Sequence, residues 1–230
     1  MRAEPKEALM RLYKESPMKK LTLFLLFSFC AAATAQAVPL SVVNVSAPPI
    51  NCIFDASCTV VVNDTTAPIT LPGSGTGFFQ SRTFRGLPGS PAAGKYAYLY
   101  RVDMRNAVGT LSLGCVNSVT VNFGPVVSTL DFNGDGTSTD QVFVVTTGGI
   151  GSIGLASADQ VGNNITFSFS SPVCAGSGPG RGQSSFFWGL VSTAQPRFVT
   201  ASIANTLGPA LNVQGRAPNY LMRLGGRRRG

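Results

Sequence analysis

Residues 164–170 read N-I-T-F-S-F-S, setting Ile165, Phe167 and Phe169 against Thr166, Ser168 and Ser170. Successive side chains of an extended chain point to opposite faces, so this period of two buries one face and wets the other. A helix made of the same residues would scatter the phenylalanines around its circumference. The pattern recurs. In 95–104, Tyr96, Tyr98, Tyr100, Val102 and Met104 share a face; in 116–123, Val119, Val121 and Phe123 oppose Ser118, Thr120 and Asn122. Stretches 40–46, 58–63, 184–192 and 197–203 read as further strands, and 141–147 as a more continuously apolar one. Gly, Pro, Asn and Asp punctuate the gaps. The only helix-like patch is G-L-A-S-A-D-Q-V-G, 154–162. No internal repeat points to a propeller or solenoid. The expected fold is all-β: a single-domain antiparallel β-sandwich, jelly-roll or Ig-like.

The chain ahead of these strands has a different character. From Met18 it reads M-K-K-L-T-L-F-L-L-F-S-F-C-A-A-A-T-A-Q-A. Two lysines, an apolar run and small residues at Ala35 and Ala37 are the parts of a Sec-type signal peptide cleaved after Ala37. The run is too short and wrongly flanked for a membrane span. Bulky Phe29 ahead of Cys30 does not suit a lipobox. The expected organisation is a leader or mis-assigned start at 1–17, a signal peptide at 18–37, a β-sandwich at 38–207, and a flexible basic tail at 208–230. The destination is the cell surface, the medium or the periplasm, with no transmembrane segment in the mature chain.

This division changes the meaning of the charge. The chain carries +8, but six of its eighteen basic residues and three of its ten acidic ones precede Val38. Five of the remaining basic residues are the C-terminal arginines Arg216, Arg223, Arg227, Arg228 and Arg229, and residues 38–215 are balanced. The basicity is not a patch on the fold, which argues against a nucleic-acid partner.

After the signal peptide four cysteines remain: Cys52, Cys58, Cys115 and Cys174. In an exported chain an even number reads as two disulfides. Of the three pairings, closeness in sequence favours Cys52–Cys58 with Cys115–Cys174. Zinc would require a CxxC pair or a histidine, and the chain has neither. The missing histidine also removes the usual general base and the Ser-His-Asp and Cys-His arrangements. No glutamate follows Glu15, so a pair of catalytic carboxylates would have to be aspartates. Nothing around the one lysine of the body, Lys95, suggests a Ser–Lys dyad. The expectation is a protein that is not an enzyme.

The stretch D-F-N-G-D-G-T-S-T-D, 131–140, carries the one candidate metal site. Oxygen side chains stand at alternate positions, Asp131, Asn133 and Asp135; Gly136 allows a sharp turn that lets Thr137 offer its carbonyl. This follows the first half of an EF-hand loop, although position twelve is Val142 and the nearest closing acid is Asp140, at position ten. The flanks are strand-like. On these residues the stretch resembles the calcium loop of FG-GAP (VCBS-type) repeats, which implies a structural Ca²⁺ held by Asp131, Asn133, Asp135 and Asp140, to which the EF-hand pattern adds the Thr137 carbonyl. The alternative is a hairpin turn using Asn-Gly and Asp-Gly for their positive φ, with no cofactor.

The Gly/Ser/Thr-rich body between a signal peptide and a terminal arginine cluster is similar in layout to bacterial PEP-CTERM surface proteins, with R-A-P-N-Y where Pro-Glu-Pro would stand. The resemblance implies an exported bacterial surface protein. The function expected is a structural, adhesive or extracellular-matrix role, with cell-surface or matrix polysaccharide as partner. Two alternatives make distinct demands. A carbohydrate-binding module would expose Phe187 or Trp188 as a stacking platform. An Asp-dependent hydrolase would bring Asp103 or Asp159 together with another aspartate in a pocket.

Overall fold

The computed structural model describes residues 36–110, 113–125 and 127–220. The leader 1–17, nearly all of the signal peptide and the arginines at 223–229 lie outside the described residues. The chain forms two six-stranded sheets packed face to face. Sheet A has the order β1 (Val38–Pro39), β8 (Leu155–Val161), β9 (Asn164–Cys174), β6 (Cys115–Asn122), β11 (Pro196–Asn205), β12 (Leu211–Pro218). Sheet B has the order β2 (Val42–Ser46), β7 (Val142–Thr147), β10 (Phe187–Ser192), β5 (Tyr96–Asp103), β4 (Thr76–Arg85), β3 (Asn63–Thr70). Pairing is antiparallel throughout except at one edge, where β2 runs parallel to β7. The protein is an all-β sandwich.

Alternation explains the inner faces. Ile165 and Phe167 of β9, Val119 and Val121 of β6, and Tyr98, Tyr100 and Val102 of β5 are all fully buried between the sheets. Trp188 sits among them, with Tyr100, Phe167 and Phe169 rings 5.3–6.1 Å away. The chain changes sheet at Leu40, whose N–H donates to Ala158 of sheet A while the next carbonyl, Ser41, accepts from Val142 of sheet B.

Sheet B is covered on its outer face as well. The alternate residues of its central strands, Ala97, Leu99, Phe143, Val145, Phe187 and Val191, form a second apolar cluster. This is why 141–147 is continuously apolar: a strand buried on both sides has no wet face. The cover is α1 (Ala47–Phe54), which follows β2 and packs against β2 and β7, its last residue reaching Phe84 of β4. Pro48 and Pro49 stand in the first turn of α1, where a missing N–H costs nothing. Ile50 and Phe54 face the sheet, and Phe54 meets Phe84 edge-on at 4.8 Å. The carbonyls of Ile53 and Phe54 accept the N–H groups of Ala92 and Leu87, satisfying a helix end that would otherwise be unpaired.

Both disulfides form as expected, Cys52–Cys58 and Cys115–Cys174. The second joins residues directly opposite in the β6–β9 ladder. The first ties α1 to the segment that follows it, where Cys58 takes φ 59°.

Three expectations are corrected. Within 154–162, Leu155–Val161 is strand β8, because pairing with β9 through a Gly162-Asn163 turn outweighs the helical propensity of Leu and Ala. Residues 58–62 are not a strand; pairing begins at Asn63. The sandwich does not end at 207: residues 211–218, placed in the tail, are β12 along the whole of β11. Small inward residues, Val213, Gly215 and Ala217, let β12 lie close to sheet B, where Arg216 N–H donates to Ser81 Oγ at 2.9 Å and Tyr100 OH donates to the Arg216 carbonyl at 2.7 Å.

Candidate functional site

Asp131, Asn133, Asp135, Thr137 and Asp140 lie on one connection, closed at its base by the paired Leu130 and Asp140 backbones. Each carboxylate takes donors from the loop itself. Asp131 Oδ1 accepts from the N–H of Gly134 at 2.7 Å and Asp135 at 3.1 Å, and its Oδ2 from Gly136 at 2.8 Å. Asp135 accepts from the Thr137 hydroxyl, from the Asn133 amide and from the Thr137 N–H. These bonds, Thr137 and Asn133 foremost, hold its carboxyl below the usual range. Gly134 and Gly136 carry the positive φ values, 77° and 91°, that fold the backbone around the carboxylates.

Asp140 is different. It is 4 % exposed, and its Oδ2 accepts the N–H of Phe132 at 2.8 Å and of Asn133 at 3.3 Å. Phe132 thereby seats its ring 4.8 Å from Phe143 in the second apolar cluster. Asp140 works as a clip between the loop and sheet B. The clustering of acids that suggested a cation is met by backbone N–H groups. Among the described residues no three acidic, cysteine or histidine side chains are gathered so as to hold a metal ion.

The aromatic residues and remaining aspartates fall into place more simply. Trp188 is 1 % exposed, so its ring is not a platform for a sugar. Phe187 is also buried, on the opposite face of sheet B. Asp103 belongs to sheet B and pairs with Arg101 at 3.0 Å and Arg105 at 2.7 Å. Burial pushes its carboxyl up, but the Arg105 hydrogen bonds and both guanidinium charges outweigh this and hold it below the usual range. Asp159 belongs to sheet A and accepts the Ser157 hydroxyl at 2.7 Å. The two do not converge.

A cleft of about 360 Å³, which no sequence motif marks, lies on the outer face of sheet B. Its floor is Leu99, Phe143 and Phe187 of sheet B; Ile50 of α1, Val60 and Ile150 line it above. Arg82 is its one charged lining group. The Arg82 Nε donates to Asp64 at 2.9 Å. Its guanidinium lies 4.4 Å from the Phe187 ring centroid, and that of Arg101 5.2 Å from the same ring. These residues come from β4, β5, β7, β10, α1 and two loops, so no local motif announces them. The one local signal was the apolar character of both faces of 141–147.

No protein-family model, no curated protein and no solved structure matches the chain.

Proposed function

We propose that this chain is an exported, non-catalytic β-sandwich protein with a structural, adhesive or matrix role at the bacterial cell surface or outside the cell. The observation that carries the reading is the pairing of all four cysteines that follow the signal peptide into two disulfides, which persist in oxidising compartments. The separation of Asp103 and Asp159 onto different sheets supports a role without catalysis.

The outer face of sheet A suits a neutral, hydroxyl-rich polymer such as a surface or matrix polysaccharide. Asp159, Thr166, Thr120, Ser202 and Asn212 stand in one row across five strands. Asp159 is the only ionised group in that row. Such a face offers many hydrogen-bond donors and acceptors and little field to attract a polyanion.

Expression of the full chain in a bacterial host, followed by cell fractionation and N-terminal sequencing, tests the reading. The expected product begins at Val38 and sediments with cells or their matrix. A Thr166→Lys/Ser202→Lys variant is expected to be exported equally and released to the medium. An uncleaved chain in the cytoplasm would overturn export; retention unchanged in the double variant would overturn the assignment of this face.

A further inference from the structure

The cleft on sheet B has a composition of its own. It is apolar on the floor and walls, it opens beside the exposed side chains of Val62 and Ile150 (38 % and 45 %), and it holds one accessible cation, Arg82. Its volume falls within the range of small-molecule sites. The electrostatics beside it are unbalanced. Three guanidiniums, Arg82, Arg101 and Arg105, share two carboxylates, Asp64 and Asp103. Arg101 is 7 % exposed and spends Nε on Gln80 and Nη2 on Asp103, leaving its buried Nη1 without a hydrogen-bond partner. Arg82 spends only Nε, on Asp64, and its side chain is 31 % exposed. Arg82 therefore presents two unbonded Nη groups at the mouth of an apolar hollow, stacked on the aromatic ring that forms its floor.

We propose that this cleft binds a small amphipathic acid: an apolar chain or ring carrying one carboxylate. The apolar part lies on Leu99, Phe143 and Phe187, and the carboxylate meets the Nη groups of Arg82. A guanidinium already oriented by Asp64 and by stacking loses little freedom on accepting a carboxylate, and the contact is a charge-assisted one. A neutral ligand would leave those Nη donors without a charged acceptor, and a cationic one would meet repulsion.

Isothermal titration of the purified, disulfide-bonded chain with decanoate and with decanol tests this. Decanoate is expected to bind at one site and more tightly than decanol. Arg82→Gln should weaken decanoate by about ten- to a hundredfold, the worth of one hydrogen bond to a charged group, and leave decanol unchanged. Ile150→Asp, at an exposed rim position, should also weaken decanoate with no change in melting temperature, and serves if the Arg82 variant does not fold. Equal affinities for acid and alcohol, no binding of decanoate, or an unchanged affinity in both variants would overturn the proposal. So would binding only to phosphatidylglycerol vesicles, which would make the ligand a lipid surface instead of a free acid.

Discussion

At the scale of single residues, Asp140 shows how one side chain changes meaning between sequence and structure. By spacing it is the closing ligand of a calcium loop; in the fold it turns inward and accepts two backbone N–H groups. Removing the acceptor would leave those donors unpaired, one of them fully buried. Asp140→Ala is therefore expected to cost about 1–3 kcal/mol in denaturant unfolding, and Asp140→Asn, which keeps an acceptor oxygen, markedly less. Asp131→Ala acts on exposed N–H groups that water can satisfy, so its cost is smaller. These losses should be the same with Ca²⁺ as with a chelator. If wild type melts higher in Ca²⁺, and the gain disappears in both alanine variants, the loop holds a cation and the turn reading fails.

At the scale of elements, what the sequence disclosed depended on how much each strand shows in its inward residues. In β9 and β6 the inward set is Ile, Val and Phe, and the strands are plain. In β4 the inward positions are Gly77, Phe79, Ser81 and Thr83, all buried, with only Phe79 strongly apolar, while Phe78 and Phe84 stand on the other face, so its alternation has little hydrophobic contrast. In β12 they are Val213, Gly215 and Ala217, and the flanking arginines made the segment look like tail. Pro48 and Pro49 likewise disguised α1, since prolines that open a helix resemble those that prevent one. The same lack of contrast concealed the cleft, whose floor draws single residues from separate strands. The loop at 131–140 was visible because its residues are contiguous. Reading 208 onward as a flexible tail has a measurable consequence. A chain ended at 207 loses one of the two partners of β11, leaving β11 as the sheet edge, and the carbonyl that accepts from Tyr100. Burial has already pushed that phenol far above its ordinary range, so its hydroxyl stays protonated and would be left unpaired. The shortened chain is expected to be insoluble or to melt far lower, whereas a chain ended at 220 keeps every strand among the described residues. Comparable melting of the two would mean that β12 contributes little.

At the scale of the molecule, the sandwich is built from contacts distant in sequence, and its two disulfides act on very different lengths of chain. Cys52–Cys58 closes a separation of 6 residues, and Cys115–Cys174 one of 59. In the chain-entropy description these constrain the unfolded state by roughly 2 and roughly 4 kcal/mol respectively. They also hold different things. The long bridge pins the centre of sheet A, between β6 and β9. The short one anchors the segment 58–62, whose Val60 and Val62 line the cleft, and so bears on binding more than on global stability. The two losses should therefore separate. Cys115→Ser/Cys174→Ser should lower unfolding free energy by about 4 kcal/mol, a large share of the stability of a typical domain, while the folded fraction retains its affinity for decanoate. Cys52→Ser/Cys58→Ser should cost about half as much stability and reduce decanoate affinity in a chain that remains folded. Chemical denaturation together with calorimetric titration of each variant measures both quantities. Equal effects of the two pairs on stability would show that strain or residual structure in the unfolded chain dominates loop entropy. An unchanged affinity without the short bridge would show that α1 and the sheet hold the cleft without help from the segment it tethers.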